Sequence, residues 1–423
     1  MSIIAFQRLH PAGLQRPASR CHTTDLPPDS VALDLPRMLI DITRLLYRRL
    51  RGRLPTGIDR VAIEYVRHYA ATGRAVLTIG PFDAVLSPVD SAHAFALLLD
   101  ERRKVTGFFA RMALKGYFLW WWMSRNVADN ILLNVGHFGL ENSRYAMLAR
   151  RRGARPVFML HDLIPITHPQ FCLPRATADH LARLSNAVKL GAGIIANSRH
   201  TLDALSVQCE AMGLDLPPTA VAPLASRLPV ADAGERPLTS PYFVMLGTIE
   251  PRKNHLLILR LWQRLIERDG DAAPRLVVIG QQGWQCQEAL ALLRDCSQLR
   301  GFVFEKGACN DAELATFLHH AQALVFPSFA EGYGLPLAEA LAQGIPVIAS
   351  DLPSFREIAD QVPEYLDPHD EAGWLRLIDA YAKSESAERT QQLKRIAGFM
   401  PSTWAAHFAI VDAFLDRLSS EVA

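Results

Sequence analysis

The chain predicts an α/β fold made of two doubly wound domains facing each other across a cleft. Three observations carry that expectation. Short apolar runs alternate with helix-period patterns along most of the 423 residues, the rhythm of parallel strands covered by helices. A polar, proline-containing stretch over 226–240 breaks the rhythm, which then resumes. The length is also comfortable for two domains of ordinary size. The boundaries that follow are an extension over 1–36, a first domain over 37–225, a linker over 226–240, a second domain over 241–400 and a final helical segment over 401–423.

Each element rests on its own pattern. In the first half the expected strands are Met38–Ile42, Ala75–Ile79, Ile131–Asn134, Val157–Leu160 and Gly193–Asn197. In the second they are Tyr242–Leu246, Leu276–Ile279, Val303–Glu305, Ala323–Phe326 and Pro346–Ala349. The amphipathic run from Trp404 to Leu418 reads as a helix. Ligands of doubly wound folds sit at the carboxyl ends of the strands, so the turns there are where chemistry is sought.

Composition narrows the class. With 49% hydrophobic and 21% charged residues the chain is globular, without low-complexity tracts. A net charge of +2 gives no general mandate for nucleic acid. Cys21, Cys172, Cys209, Cys286, Cys296 and Cys309 are scattered, with no paired spacing, so they read as thiols of a reducing compartment and form no zinc site. The N-terminus lacks a basic-then-apolar leader, and no apolar run approaches the ~20 residues of a spanning helix. The expected location is cytoplasmic.

The most informative segment follows Ala323–Phe326. Glu331 and Glu339 bracket the turn Gly332-Tyr333-Gly334-Leu335-Pro336-Leu337. Gly332 and Gly334 allow positive φ and close backbone approach. Pro336 falls at the expected first helical position, where its missing N–H costs nothing. The helix that follows points its free N–H groups and positive dipole end at whatever lies over the loop. An anion with hydroxyl-rich groups on either side, such as a nucleotide-sugar, fits that arrangement. A plain strand-turn-helix unit with two solvated glutamates is the alternative, weakened by a second helix-to-strand return at Gly344-Ile-Pro-Val-Ile-Ala-Ser350.

This segment resembles the E-x7-E signature of the family 4 glycosyltransferases, retaining enzymes of the GT-B fold. The likeness covers most of the chain after Arg37 and is most specific in the second domain. It points toward bacterial mannosyl- and hexosyltransferases of polysaccharide or O-antigen assembly. It implies transfer of a hexosyl group from a nucleoside-diphosphate sugar to a hydroxyl of a growing glycan, with a GDP-sugar such as GDP-mannose as the expected donor. It implies that Glu339 accepts from the ribose diol and that Glu331 holds a sugar hydroxyl near the reacting carbon. The diphosphate would meet the Gly334, Leu335 and Leu337 amides. The final helix would cross back to brace the first domain. Two rival readings are a nucleotide-sugar isomerase or epimerase of the same fold and a non-catalytic nucleotide-sugar-binding subunit.

Four further motifs stand at strand ends. Gly247-Thr248-Ile249-Glu250-Pro251-Arg252-Lys253-Asn254 follows a strand and opens a helix, so Arg252 and Lys253 add charge where a phosphate would leave. It is similar to the family's first phosphate-binding motif, although Thr248 stands where many members carry arginine; Glu250 is expected to orient the cations. His161-Asp162 ends a strand, and the resemblance implies that His161 contacts the donor sugar, while Asp162 reads equally as a turn cap. Pro55-Thr-Gly-Ile-Asp-Arg60 is similar to a family loop in which Gly57 approaches a donor phosphate or an acceptor and Arg60 reaches an acidic group. Asn197-Ser198-Arg199 reads as a helix cap at the cleft edge.

Two segments draw blander readings. Asp269-Gly270-Asp271 lies between a helix and the next strand, away from the cleft, and reads as a solvated turn; no metal and no cofactor are expected. Residues 101–125 mix basic side chains with the cluster Trp120-Trp-Trp122. They suit either peripheral contact with an anionic membrane, which a lipid-linked oligosaccharide acceptor would favour, or a core helix packed on the sheet.

Overall fold

In the computed structural model the structure describes residues 38–79, 82–100, 105–108, 111, 114, 130–151, 153–229, 235–307 and 309–420. The first-lobe strands are β1 Met38–Asp41, β2 Arg74–Ile79, β3 Phe82–Val85, β4 Ile131–Asn134, β5 Arg155–Leu160, β6 Gly193–Ala196 and β7 Thr219–Val221. They form a 7-stranded sheet in the order β3-β2-β1-β4-β5-β6-β7. The second lobe contributes β8 Tyr242–Leu246, β9 Arg275–Ile279, β10 Val303–Lys306, β11 Leu324–Phe326, β12 Val347–Ser350 and β13 Glu364–Leu366. Its 6-stranded order is β10-β9-β8-β11-β12-β13.

These strands read as unbroken apolar runs because helices cover both faces of each sheet, leaving no solvent side to alternate toward. Residues Ile131–Asn134 and Val347–Ser350 are buried throughout. All ten expected strands are present, most shifted by a residue at one end. The expectation of wholly parallel sheets needs correction at one edge, where β3 runs antiparallel to β2. The short strands β3, β7 and β13 were not foreseen. Over the described part of 226–240 the chain has no helix or strand.

The helix Trp404–Ser420 returns to the first lobe. Its Phe408, Val411, Phe414 and Leu415 join the same apolar core as Tyr65, Val66 and Ile195. Tyr69 donates to Asp412 at 2.6 Å, and His407 meets Tyr65 at 3.0 Å and the Pro223 carbonyl at 3.0 Å. Gly193 leaves room for this packing, since a Cβ there would stand 2.6 Å from the Phe414 ring.

Much of the aromatic stretch 101–125 lies outside the described residues. Of the described ones, Val105 and Phe108 are buried in the first-lobe core and Leu114 is exposed. Among the described residues no helix is long and apolar enough to cross a membrane. Asp269 ends the helix His255–Asp269 and pairs with Arg268 at the surface, so the Asp-Gly-Asp string is a turn.

Candidate active site

Each sheet reverses its winding between two neighbouring strands, β1 and β4 in the first and β8 and β11 in the second. Such a switch point opens a crevice at the strands' carboxyl ends. The loop after β8 carries Gly247–Asn254, and the loop after β11 carries Glu331–Gly334. Both second-lobe motifs therefore flank one crevice.

Their charged side chains meet there. Glu331 takes Arg252 Nη1 on one carboxylate oxygen at 2.8 Å and Lys253 Nζ on the other. Arg252 also donates to the Ala330 carbonyl at 2.6 Å and to Glu250 at 2.7 Å. Glu250 thus orients the guanidinium, as expected. Lys253 lies over the Phe326 ring at 4.9 Å. Burial works against ionisation of Glu331, but Arg252 and Lys253 outweigh it and bring the carboxyl down to about 2. Burial likewise lowers the Lys253 ammonium against the pull of Glu331. Two cations face two carboxylates, so the cluster is close to neutral before any ligand arrives.

Backbone geometry brings the loop close. Gly247 has φ +147° and a Cβ there would stand 3.2 Å from the Lys253 side chain, so the glycine lets the ammonium fold back over the strand end. Thr248 sits beside Gly283, whose added Cβ would meet the Thr248 methyl at 2.8 Å. Gly334 caps the helix Leu335–Ala342 at φ 114°. Gly332 is not in the left-handed region; it is glycine because a Cβ would come within 2.1 Å of the His161 carbonyl. Leu335 opens the helix and Pro336 follows it, one place later than expected. The Leu337 amide is taken by the Gly334 carbonyl at 3.0 Å and its side chain is fully buried. That corrects the expectation that Leu337 offers its N–H to a ligand.

Glu339, in the first turns of that helix, is 2% exposed and pairs with Arg60 of the first lobe at 3.2 Å. Burial pushes its carboxyl up to about 7, with Arg60 pulling the other way. Arg60 also reaches Asp311 at 3.1 Å, so it bridges the lobes instead of standing free. Gly57 begins its helix beside Leu335, its Cβ position 3.6 Å from that side chain. A capping box between Thr56 and Asp59 fixes the helix start, and Asp59 is held in turn by Arg44 at 2.8 Å.

On the first lobe His161 is buried, and its Nε2 donates to the Val135 carbonyl at 2.8 Å. That bond leaves Nδ1 as an acceptor. Burial keeps the ring below its ordinary value and hence neutral. Asp162 accepts from the Ile164 amide at 3.1 Å, the turn-capping role. Ser198 caps the helix Arg199–Ala211, accepting from Thr201 N.

Sequence reasoning missed the contacts that join the lobes. Ser198 Oγ and Thr201 Oγ1 lie 2.9 and 3.2 Å from the Gly332 carbonyl. Tyr333 donates to the Leu224 carbonyl at 2.6 Å and packs in the first lobe's core. Glu357 accepts from the Arg199 and His200 amides at 2.5 and 3.0 Å. The available signal for Glu357 was a helix start with no acidic residue of its own in the first turn.

Two facing doubly wound lobes with this crevice define the GT-B architecture. Residues 231–398, most of the second lobe, match the family model of glycosyl transferases group 1. The chain is 31% identical over 267 residues to a serotype-specific mannosyltransferase, WbdA, of Escherichia coli, covering 56% of this chain and 32% of that one. It thus spans about a third of the length of such relatives. The O-antigen chain mannosyltransferase RfbU of Salmonella typhimurium is 24% identical, over 81% of this chain and 90% of its own. Among solved structures, a sucrose-phosphate synthase from Thermosynechococcus elongatus superposes with a TM-score of 0.61 at 15% identity, covering 91% and 99% of the two chains. Anabaena HepE in complex with UDP-glucose gives 0.60 at 14% identity, covering 91% and 98%. These structures share the fold.

Proposed function

We propose that the chain is a retaining glycosyltransferase moving a hexosyl group from a nucleoside-diphosphate sugar, GDP-mannose by preference, to a hydroxyl of a growing glycan. The observation that carries the reading is the cluster of Glu331, Arg252 and Lys253 at the mouth of the helix Leu335–Ala342, with Glu339 buried behind it. The names of the mannosyltransferase relatives support the sugar. The acceptor is a glycan or a lipid-linked oligosaccharide, and the enzyme works in the cytoplasm, at the membrane face when the acceptor is lipid-linked.

In this reading the diphosphate lies against the helix entrance, where the dipole and the two cations take up charge as the glycosidic bond breaks. No metal is required for that neutralisation. The donor hydroxyl that displaces Lys253 or Arg252 from Glu331 is held next to the reacting carbon. His161 Nδ1 accepts a second sugar hydroxyl. Glu339 exchanges Arg60 for the ribose diol. The anomeric carbon passes through an oxocarbenium-like state, and the departing phosphate oxygen takes the acceptor's proton.

Glu331→Gln tests the roles, because it keeps the shape while removing the charge. Transfer is expected to fall by about a thousandfold, with nucleotide binding nearly intact. Glu331→Ala should also lose about 3 kcal/mol of stability, since it leaves the buried Lys253 ammonium without its carboxylate. Near-normal turnover in the glutamine variant would refute the assignment. The donor is found by thermal shift across GDP-, UDP-, ADP- and dTDP-sugars, a bound ligand adding about 2.7 kcal/mol at a hundredfold excess over Kd.

A further inference from the structure

The loop after β8 has a second side. Arg252 and Lys253 turn toward Glu331, whereas Glu250, Pro251 and Asn254 line a separate cavity of ≈ 370 Å³. That size falls within the range of about 300–1,000 Å³ typical of small-molecule sites. Nothing in the donor reading uses it.

Its walls have a definite chemistry. Phe171 of the first lobe stacks on Phe329 of the second at 5.0 Å and 8°, and His369 continues the row at 5.0 Å from Phe329. His255, 2% exposed, lines the same cavity, and neither of its ring nitrogens has a hydrogen-bond partner. The Glu250 main chain lies near the ring and favours its charged form. Burial, aided by Lys253, keeps that imidazole neutral, at about 3, so it offers one donor and one acceptor. A buried, unsatisfied polar ring is costly unless something completes it.

Charge selects among ligands. Glu250, Glu288 and Glu371 line the cavity, each already engaged by an arginine: Arg252 at 2.7 Å, Arg260 at 2.6 Å and Arg264 at 3.4 Å. That pairing leaves a phosphate no unengaged arginine among the described lining residues. Among the described residues no group of three or more His, Cys, Asp and Glu side chains could hold a metal ion. An uncharged ligand rich in hydroxyls meets every feature: carboxylates and an imidazole for its hydroxyls, and aromatic rings for its C–H face.

We propose that this cavity is a neutral-saccharide site, seating a sugar unit of the acceptor glycan away from the point of transfer. It rests on the glycosyltransferase reading for its purpose but not for its occupancy. Glu250 forms the party wall, lining the cavity while holding Arg252.

The test uses the full chain and a mannose tetrasaccharide, chosen after the names of the relatives. Saturation-transfer NMR without donor is expected to show binding, and crystals soaked with it should show a sugar ring beside Phe329 and His369 with a hydroxyl on His255. Phe171→Ala and His369→Ala should each weaken that binding by about tenfold, the loss of one ring contact. In transfer assays their KM for the tetrasaccharide should rise about tenfold more than that for a simple alkyl mannoside. No binding by the wild type, sugar density confined to other places, or equal KM changes for the two acceptors would overturn the proposal. Because binding is read without donor, a failed cavity leaves the transferase reading standing. A seated tetrasaccharide that is never extended with any donor would sink that reading alone.

Discussion

The two lobes offer the cleft opposite electrical faces. On the first, His137, His161 and His180 gather, each held below its ordinary value by burial and hydrogen-bonded to a main-chain carbonyl. That wall is neutral. On the second, Arg252, Lys253, Glu250 and Glu331 form a largely shielded ion-pair cluster, each member answered within the same lobe. Desolvation explains the contrast, since a buried ion persists only with a partner close by. In the proposed reading, charge chemistry belongs to the second lobe and hydroxyl positioning to the first. Two first-lobe exceptions sit in the Thr56–Arg60 turn: Asp59, buried and paired with Arg44, and Arg60, which carries a cation to the second-lobe Glu339.

The sharpest way to break this contrast is to keep the two faces from meeting. Gly332→Ala places a Cβ 2.1 Å from the His161 carbonyl, a contact that neither backbone can absorb. Activity should drop at least about a hundredfold, with a larger radius of gyration by small-angle scattering. Full activity in a compact variant would mean that the faces need not touch.

Next in size is the pH response of Glu339. Burial raises its carboxyl to about 7 from an ordinary 4.5, so it gains a proton as pH falls through neutrality and, in the proposed donor pose, would cease to accept two ribose hydroxyls. Nucleotide affinity should fall about tenfold from pH 8 to pH 6, and Glu339→Gln should flatten the profile; calorimetry at several pH values checks both. The stability sign runs the opposite way. With the folded value raised, the group's contribution is fully present below 4.5 and is lost as pH rises through about 7.

The smallest effect concerns a neutral group that serves both faces. Ser198→Ala removes a helix cap and the hydroxyl beside the Gly332 carbonyl, at an expected cost of about 1 kcal/mol in denaturant unfolding. A cost beyond about 2 kcal/mol would show that the cross-lobe bond adds to the cap.

What could be read from the chain alone follows from sequence separation. Gly247 to Lys253 and Glu331 to Glu339 declare themselves because glycine, proline and charge fall within a few residues of a strand end. Edge strands such as β7 and β13 have three residues each, too few for periodicity to register. β3 is nearly as short and pairs antiparallel. The pairing of Arg60 with Glu339, and of Gly332 with Ser198, joins residues far apart in the chain, and no local pattern encodes it. The occupied Leu337 amide was hidden for another reason: the first helical turn closed on Gly334, a choice made by packing.

Glu357 carries a last consequence. The helix Arg199–Ala211 has no acidic residue in its own first turn and borrows its anion from across the cleft. Parting the lobes strips that carboxylate from a positive helix end and returns both to solvent. Mobile ions screen exposed charge over about 8 Å at physiological strength, so they favour the parted state. Added salt is therefore expected to loosen this clasp before the uncharged contacts that also join the lobes, such as Tyr333 with Leu224.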